Sequence, residues 1–133
     1  MSFVLDASVA ASWAFSDESH PAATVAFARA EYESCAVPAL WWFEIRNVLL
    51  MGERRRRLTI SETTAFLSRL SELRLEIDFE PNEAEVLRLA RSHNLSVYDT
   101  VYLELAHRRS FQLATLDSAL ARAARVEKVP LIK

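Results

Sequence analysis

The chain has 133 residues, 16 basic against 18 acidic side chains for a formal charge of −2, and 51% hydrophobic content. That composition suits one compact domain over residues 1–133 with a substantial core, and it argues against a broadly basic nucleic-acid surface while leaving room for a local one. A single cysteine, Cys35, excludes an intrachain disulfide framework and is expected to be a small buried residue, and a single glycine, Gly52, excludes glycine-rich phosphate loops.

In chain order, Phe3-Val4-Leu5 reads as a buried first strand ending at Asp6. Ser8 to Phe15 follows as a short helix, and Pro21 suits the start of the next, with Val25, Ala28 and Tyr32 as its stripe. Cys35-Ala36-Val37 is a second strand stopped by Pro38. Leu40 to about Arg56 is a long helix, apolar around most of its circumference. Thr59 and Glu62 have the form of a capping box, opening a helix whose stripe is Phe66, Leu70 and Leu73. Leu75 to Phe79 alternates as a third strand, with Leu75, Ile77 and Phe79 on one side.

Asn82 with Glu85, and then Ser96 with Asp99, open two further helices. In the second of these, Asp99 falls on the stripe of Tyr102, Leu103 and Ala106, while Thr100, Glu104, His107 and Arg108 form a polar arc. Phe111 to Thr115 is a fourth strand, Ser118 to Arg125 the last helix, and Val129 to Ile132 a final short strand. Strands alternating with helices predict a parallel sheet covered on both faces, with functional groups beyond the carboxyl ends of the strands. No apolar run approaches the ~18 residues of a membrane span. The apolar N-terminus lacks a basic segment and is interrupted by Asp6, a poor signal peptide, so a cytoplasmic location is expected.

Four acids stand in awkward places. Asp6 and Asp117 each follow a strand and precede a helix, where an N-cap role is an ordinary alternative. Asp99 closes the first turn of a helix yet lies on its apolar side. Glu44 sits among Leu40, Asn47, Val48 and Met51, opposite Arg46 and Glu53, where a carboxylate normally has a partner that keeps it ionised. All four can converge at the carboxyl edge of one parallel sheet, where they would repel without a cation. An all-oxygen set with no accompanying cysteine or histidine cluster suits Mg²⁺ or Mn²⁺. His20, His93 and His107 have no ligand spacing.

These acids, with their neighbours, carry a family resemblance. Val4-Leu5-Asp6-Ala7-Ser8, Glu44 with Asn47, Tyr98-Asp99-Thr100-Val101-Tyr102-Leu103 and Thr115-Leu116-Asp117-Ser118-Ala119-Leu120 resemble a PIN domain. The likeness is specifically to a VapC-type ribonuclease toxin of a toxin–antitoxin pair, and it covers essentially the whole chain. It implies a three-layer α/β/α sandwich around a five-stranded parallel sheet, and metal-dependent endonucleolytic cleavage of RNA at Asp6, Glu44, Asp99 and Asp117. It also implies a VapB-type antitoxin as partner and homodimers. Some relatives carry a further acid two residues beyond the last Asp, where this chain has Ala119, which leaves open whether the site takes one tight ion or two.

On this reading Asp6 and Asp99 are the principal ligands of Mg²⁺ or Mn²⁺, Asp117 completes the site, and Glu44 ligates or orients water. Ser8 and Thr115 are candidate supporting hydroxyls, and Asn47 either holds a carboxylate or reaches substrate; each is equally at home as a capping or loop residue. Arg54, Arg55, Arg56 and Arg57 are either a solvated helix end or contacts to RNA phosphates. Trp41, Trp42 and Phe43 fit core, antitoxin or dimer contact better than base stacking. Two competing readings are a non-catalytic PIN-like binding module and an aspartyl-nucleophile phosphatase. For the second, Asp6-Ala7-Ser8 lacks a second early acid, and both lysines fall at the extreme C-terminus.

Overall fold

Four short parallel strands organise the chain, in the order β3-β2-β1-β4. A computed structural model describes residues 1–133 throughout. The elements are β1 (Ser2–Leu5), α1 (Ala7–Ser12), α2 (Pro21–Ala30), β2 (Ser34–Pro38), α3 (Trp41–Arg54) and α4 (Ile60–Leu70). There follow β3 (Leu75–Asp78), α5 (Glu83–His93), α6 (Val97–Arg109), β4 (Gln112–Ala114) and α7 (Ser118–Val126). Phe3, Val4 and Leu5 of the central strand are fully buried, as unbroken apolar runs in a parallel sheet should be. Cys35 is buried in the neighbouring strand, and burial pushes its thiol up to about 12.

Right-handed crossovers put the helices between β1, β2 and β3 on one face and those between β3 and β4 on the other. The contacts agree: α1 packs on α2 and α3, while α6 packs on α5, α7 and three of the strands. Because β2 and β4 lie on opposite sides of β1, the strand order reverses there, and a crevice opens at the carboxyl ends of β1 and β4. Gly52 serves close approach: a Cβ there would stand 3.0 Å from two ring atoms of Phe15.

The structure corrects the sequence reading in five places. In α2 the buried face is Ala23, Ala26 and Ala30, small residues that let the helix sit close to its neighbours, while Val25, Ala28 and Tyr32, read as its stripe, are exposed. The sheet has four strands, and the Val129 to Ile132 segment adds only a single parallel bridge, Leu113 to Leu131, beside β4. Pro130 has no amide hydrogen to donate to a ladder, and its carbonyl accepts from Leu113. The first helix ends at Ser12 rather than Phe15. In β3 only Leu75 of the expected inner row is partly covered, while Ile77 and Phe79 are exposed, because β3 is the sheet edge.

The largest correction concerns α6. Thr100 and Glu104, read as part of a polar arc, are buried, together with Tyr102, Leu103, Leu105 and Ala106. This helix is sandwiched between the sheet and its neighbours α5 and α7, so nearly its whole circumference is covered. Thr100 donates its hydroxyl back to the Ser96 carbonyl at 2.6 Å, and Glu104 is held by Arg108 at 2.8 Å. Polarity is satisfied locally, without solvent.

Candidate functional site

Strand register places the first two groups. Leu5 pairs with Ala114, and the Asp6 amide donates to the Ala114 carbonyl at 3.0 Å, so Asp6 and Thr115 leave the sheet side by side. Thr115 Oγ1 donates to Asp6 Oδ2 at 2.6 Å, and Ser8 Oγ donates to the same oxygen at 2.8 Å. Each hydroxyl also accepts from the second loop: Ser8 Oγ from the Leu116 amide at 3.0 Å, and Thr115 Oγ1 from the Asp117 amide at 3.0 Å. Oδ2 of Asp6 is thereby immobilised by two hydroxyls, and the Ser8 backbone also bonds the carboxyl.

Glu44 lies in the first turn of α3 and accepts from the Tyr102 hydroxyl, Oε1 to Oη, at 2.5 Å. Tyr102 is a member of this site that the sequence reading did not single out. Its signal was spacing: it stands three residues after Asp99 on the same helical face, and its hydroxyl needs a partner when buried. Burial holds the Tyr102 phenol far above its usual value, aided by Asp6 and by Glu44, so the group stays protonated and donates.

The electrostatics join three of the acids. Burial pushes Asp6 above the usual carboxylate range; the hydrogen bonds from Thr115 and Ser8 oppose that shift, and the charge of Asp99 adds to it. Burial likewise raises Glu44, the Tyr102 hydroxyl opposes it, and Asp6 and Asp99 both add to it. Asp6, Glu44 and Asp99 therefore feel one another across the crevice. Asp117 connects through Thr115, and also caps α7, its Oδ1 accepting from the Ala119 and Leu120 amides at 2.9 and 3.2 Å. Its capping and site roles coexist, because a carboxylate has a second oxygen. Asp99 shares its capping motif with Ser96, whose hydroxyl accepts from the Asp99 amide at 3.1 Å.

None of these four acids has a lysine, arginine or histidine within ion-pair distance. The contrast is Glu104, 1% exposed and clasped by Arg108, which in turn reaches Asp78 at 2.7 Å. This chain neutralises a buried acid with arginine where the acid is structural, and it supplies no such partner at Asp6 or Glu44. A cluster of carboxylate oxygens without cysteine or histidine fits a hard divalent cation. As placed, the side chains form no group of three that would hold a metal ion, so the ligand set is not closed in advance.

Around the acids, Asn47 is exposed one turn beyond Glu44 and lines a hollow of about 200 Å³ with Met51, Arg55 and Arg57. Arg57 is tied down: its guanidinium reaches Asp17 and Glu18 at 3.1 and 3.2 Å and covers the Phe15 ring at 4.1 Å. Arg54, Arg55 and Arg56 are exposed and have no acidic partner. Trp41 is buried, whereas Trp42 and Phe43 are exposed. A hollow of about 550 Å³ between α2 and α4 contains none of the four acids.

A family model described as PIN domain matches residues 3–126. A search of curated proteins finds no match. Among solved structures, PAE2754 from Pyrobaculum aerophilum is similar with a TM-score of 0.71 at 24% identity, over 92% of this chain and 79% of that one. FitAcB from Neisseria gonorrhoeae is similar with a TM-score of 0.67 at 17% identity, over 100% of this chain and 97% of that one. At such identities the likeness is one of fold.

Proposed function

Because the chain belongs to the PIN-domain family, we propose that it is a divalent-metal-dependent endoribonuclease of the VapC type, the toxin of a toxin–antitoxin pair. What supports this reading is that Asp6, Glu44 and Asp99 feel one another's charge, that Asp117 is tied to Asp6 through Thr115, and that none of the four has a basic partner. Asp6 and Asp99 would be the main ligands of Mg²⁺ or Mn²⁺. Asp117 and Glu44 would complete the set with their unengaged oxygens. When bound, the ion supplies Lewis acidity, making a water nucleophilic near neutral pH and offsetting charge on the phosphoryl oxygens.

The protein's own share is positioning. Ser8 and Thr115 hold Asp6 in one orientation, and Tyr102 holds Glu44, whose free oxygen would align the attacking water. Arg54, Arg55 and Arg56 would meet RNA phosphates, with Arg57 serving the fold instead, and Asn47 would reach the substrate backbone near Glu44. A VapB-type antitoxin and a second copy of the chain are the partners this reading brings with it. No helix is long and apolar enough to cross a membrane. A cytoplasmic location is part of the proposal.

Purified chain, freed of any antitoxin, would be incubated with total cellular RNA and Mg²⁺ or Mn²⁺, beside a chelator control and Asp99→Asn. The expected result is discrete cuts that vanish in both controls. Intact RNA under every metal condition, with the protein folded, would favour the non-catalytic binding module. Cuts that survive both controls would sink the four-acid mechanism.

A further inference from the structure

A second groove lies between α3, α4 and the edge strand β3, and the acid chemistry uses none of it. Its volume is about 210 Å³, and its walls are apolar, with Val37, Leu67, Leu70 and Ile77 among them. That is room for one large side chain, not for the face of a helix. No acidic residue lines it, yet Arg46 does. Three arginines of the chain are partly buried: Arg29 is matched by Glu33 and Arg109 by Glu76, but Arg46 has no carboxylate within reach.

Arg46 stacks on the Trp42 ring at 4.2 Å and gives one hydrogen bond, to the Trp42 carbonyl at 3.3 Å. Most of its five donors are unengaged. Burial lowers its affinity for the proton, the direction expected of a cation short of a counter-charge. Trp41, 3% exposed, lines the same groove, and its indole N–H has no acceptor in the chain. The groove thus offers surplus donors and apolar walls, and no carboxylate of its own to match them. Beside it, the outer edge of β3 has no strand neighbour. Unpaired edge groups are a template for an extended chain.

We propose that this groove binds an extended segment of a partner protein, which adds to the free edge of β3 and seats an apolar side chain with an adjacent carboxylate against Arg46. The β3 edge supplies main-chain hydrogen bonds and the groove supplies selectivity, the division of labour usual in strand addition. Neither metal nor RNA takes part, so the inference stands or falls apart from the nuclease reading.

The test begins with a phage-displayed library of random eight-residue peptides selected on the full chain, without metal. Enriched peptides should carry an acid next to a branched or aromatic residue. By fluorescence polarisation, changing that acid to its amide should weaken binding tenfold or more, and Arg46→Gln should abolish the difference while leaving Tm unchanged. Binding should also move the Trp41 indole and Ile77 amide resonances in ¹⁵N spectra. Failure to enrich, enrichment without acids, equal binding to Arg46→Gln, or shifts confined to another surface would each overturn the proposal. So would a concentration-dependent dimer that protects the β3 amides, which would give the groove to a second copy of the chain.

Discussion

At the scale of single residues, Tyr102 holds the site ready while adding to stability, and Asp6 does so at a cost to it. The Tyr102 hydroxyl is bonded to a carboxylate, and such a bond contributes about 1.5–3 kcal/mol. If it acts on Glu44 through the reaction, Tyr102→Phe should lower kcat roughly ten- to hundredfold with the circular dichroism spectrum unchanged. A fall in stability with kcat intact would make Tyr102 a packing residue only. Asp6 carries the opposite lesson. Its folded-state pKa lies above the unfolded value, so the folded chain loses stability as pH rises through that interval and the buried carboxylate ionises. Asp6→Asn keeps an acceptor for Ser8 and Thr115 and removes the charge. In the metal-free protein at pH 7, Tm should rise by roughly 3 °C, the shift about 1 kcal/mol produces in a domain of this size. The gap should close below pH 4, where both forms are neutral. Glu44 and Asp99 stood out in the sequence as acids among apolar neighbours on a helix, and Asp6 and Asp117 as acids where a strand gives way to a helix. Tyr102 stood out in neither way, and its partner is 58 residues away in the chain, a distance periodicity does not reach.

At the scale of elements, what is decided within one turn was legible and what is decided between elements was not. The Thr59 and Glu62 box is present in full, and Asn82 and Ser96 cap their helices as their spacing indicates. The burial of Glu104 is settled by α5, α7 and three strands closing around α6, and a helical wheel contains none of them. The Glu104–Arg108–Asp78 chain then becomes the link from α6 to edge strand β3. Truncating Arg108 to alanine would leave Glu104 buried and unpaired, at a cost of about 3–5 kcal/mol. Urea denaturation at pH 7 should show that loss, and adding Glu104→Gln to the Arg108→Ala variant should recover most of it. A loss that persists in the double variant would mean that Arg108 acts through packing along its stem.

At the scale of the molecule, alternating strands and helices announced the parallel sheet but left its order open. The order matters more than the count: the reversal at β1 brings residues 109 apart, Asp6 and Thr115, within 2.6 Å, and it would do so with four strands or five. The expected fifth strand failed because Pro130 interrupts a segment that offers only a single bridge. For a crevice that takes the proposed ion, stability and metal binding become one quantity. Ions that bind the folded crevice and not the unfolded chain stabilise by RT ln(1 + [L]/Kd), about 2.7 kcal/mol at a hundredfold excess over Kd. Protons compete for the same oxygens. Burial raises both Asp6 and Glu44, so their protonated forms begin to compete at a higher pH than ordinary carboxylates would allow. The rise in Tm on adding Mn²⁺ should therefore be full at pH 8 and shrink steadily on acidification, vanishing once both groups are protonated. A chelator should reverse it, and Asp6→Asn should remove it at every pH. Differential scanning fluorimetry across that range makes the test. A metal-induced shift that ignores pH, or survives Asp6→Asn, would place the ion elsewhere and leave the four acids without the counter-charge that explains them.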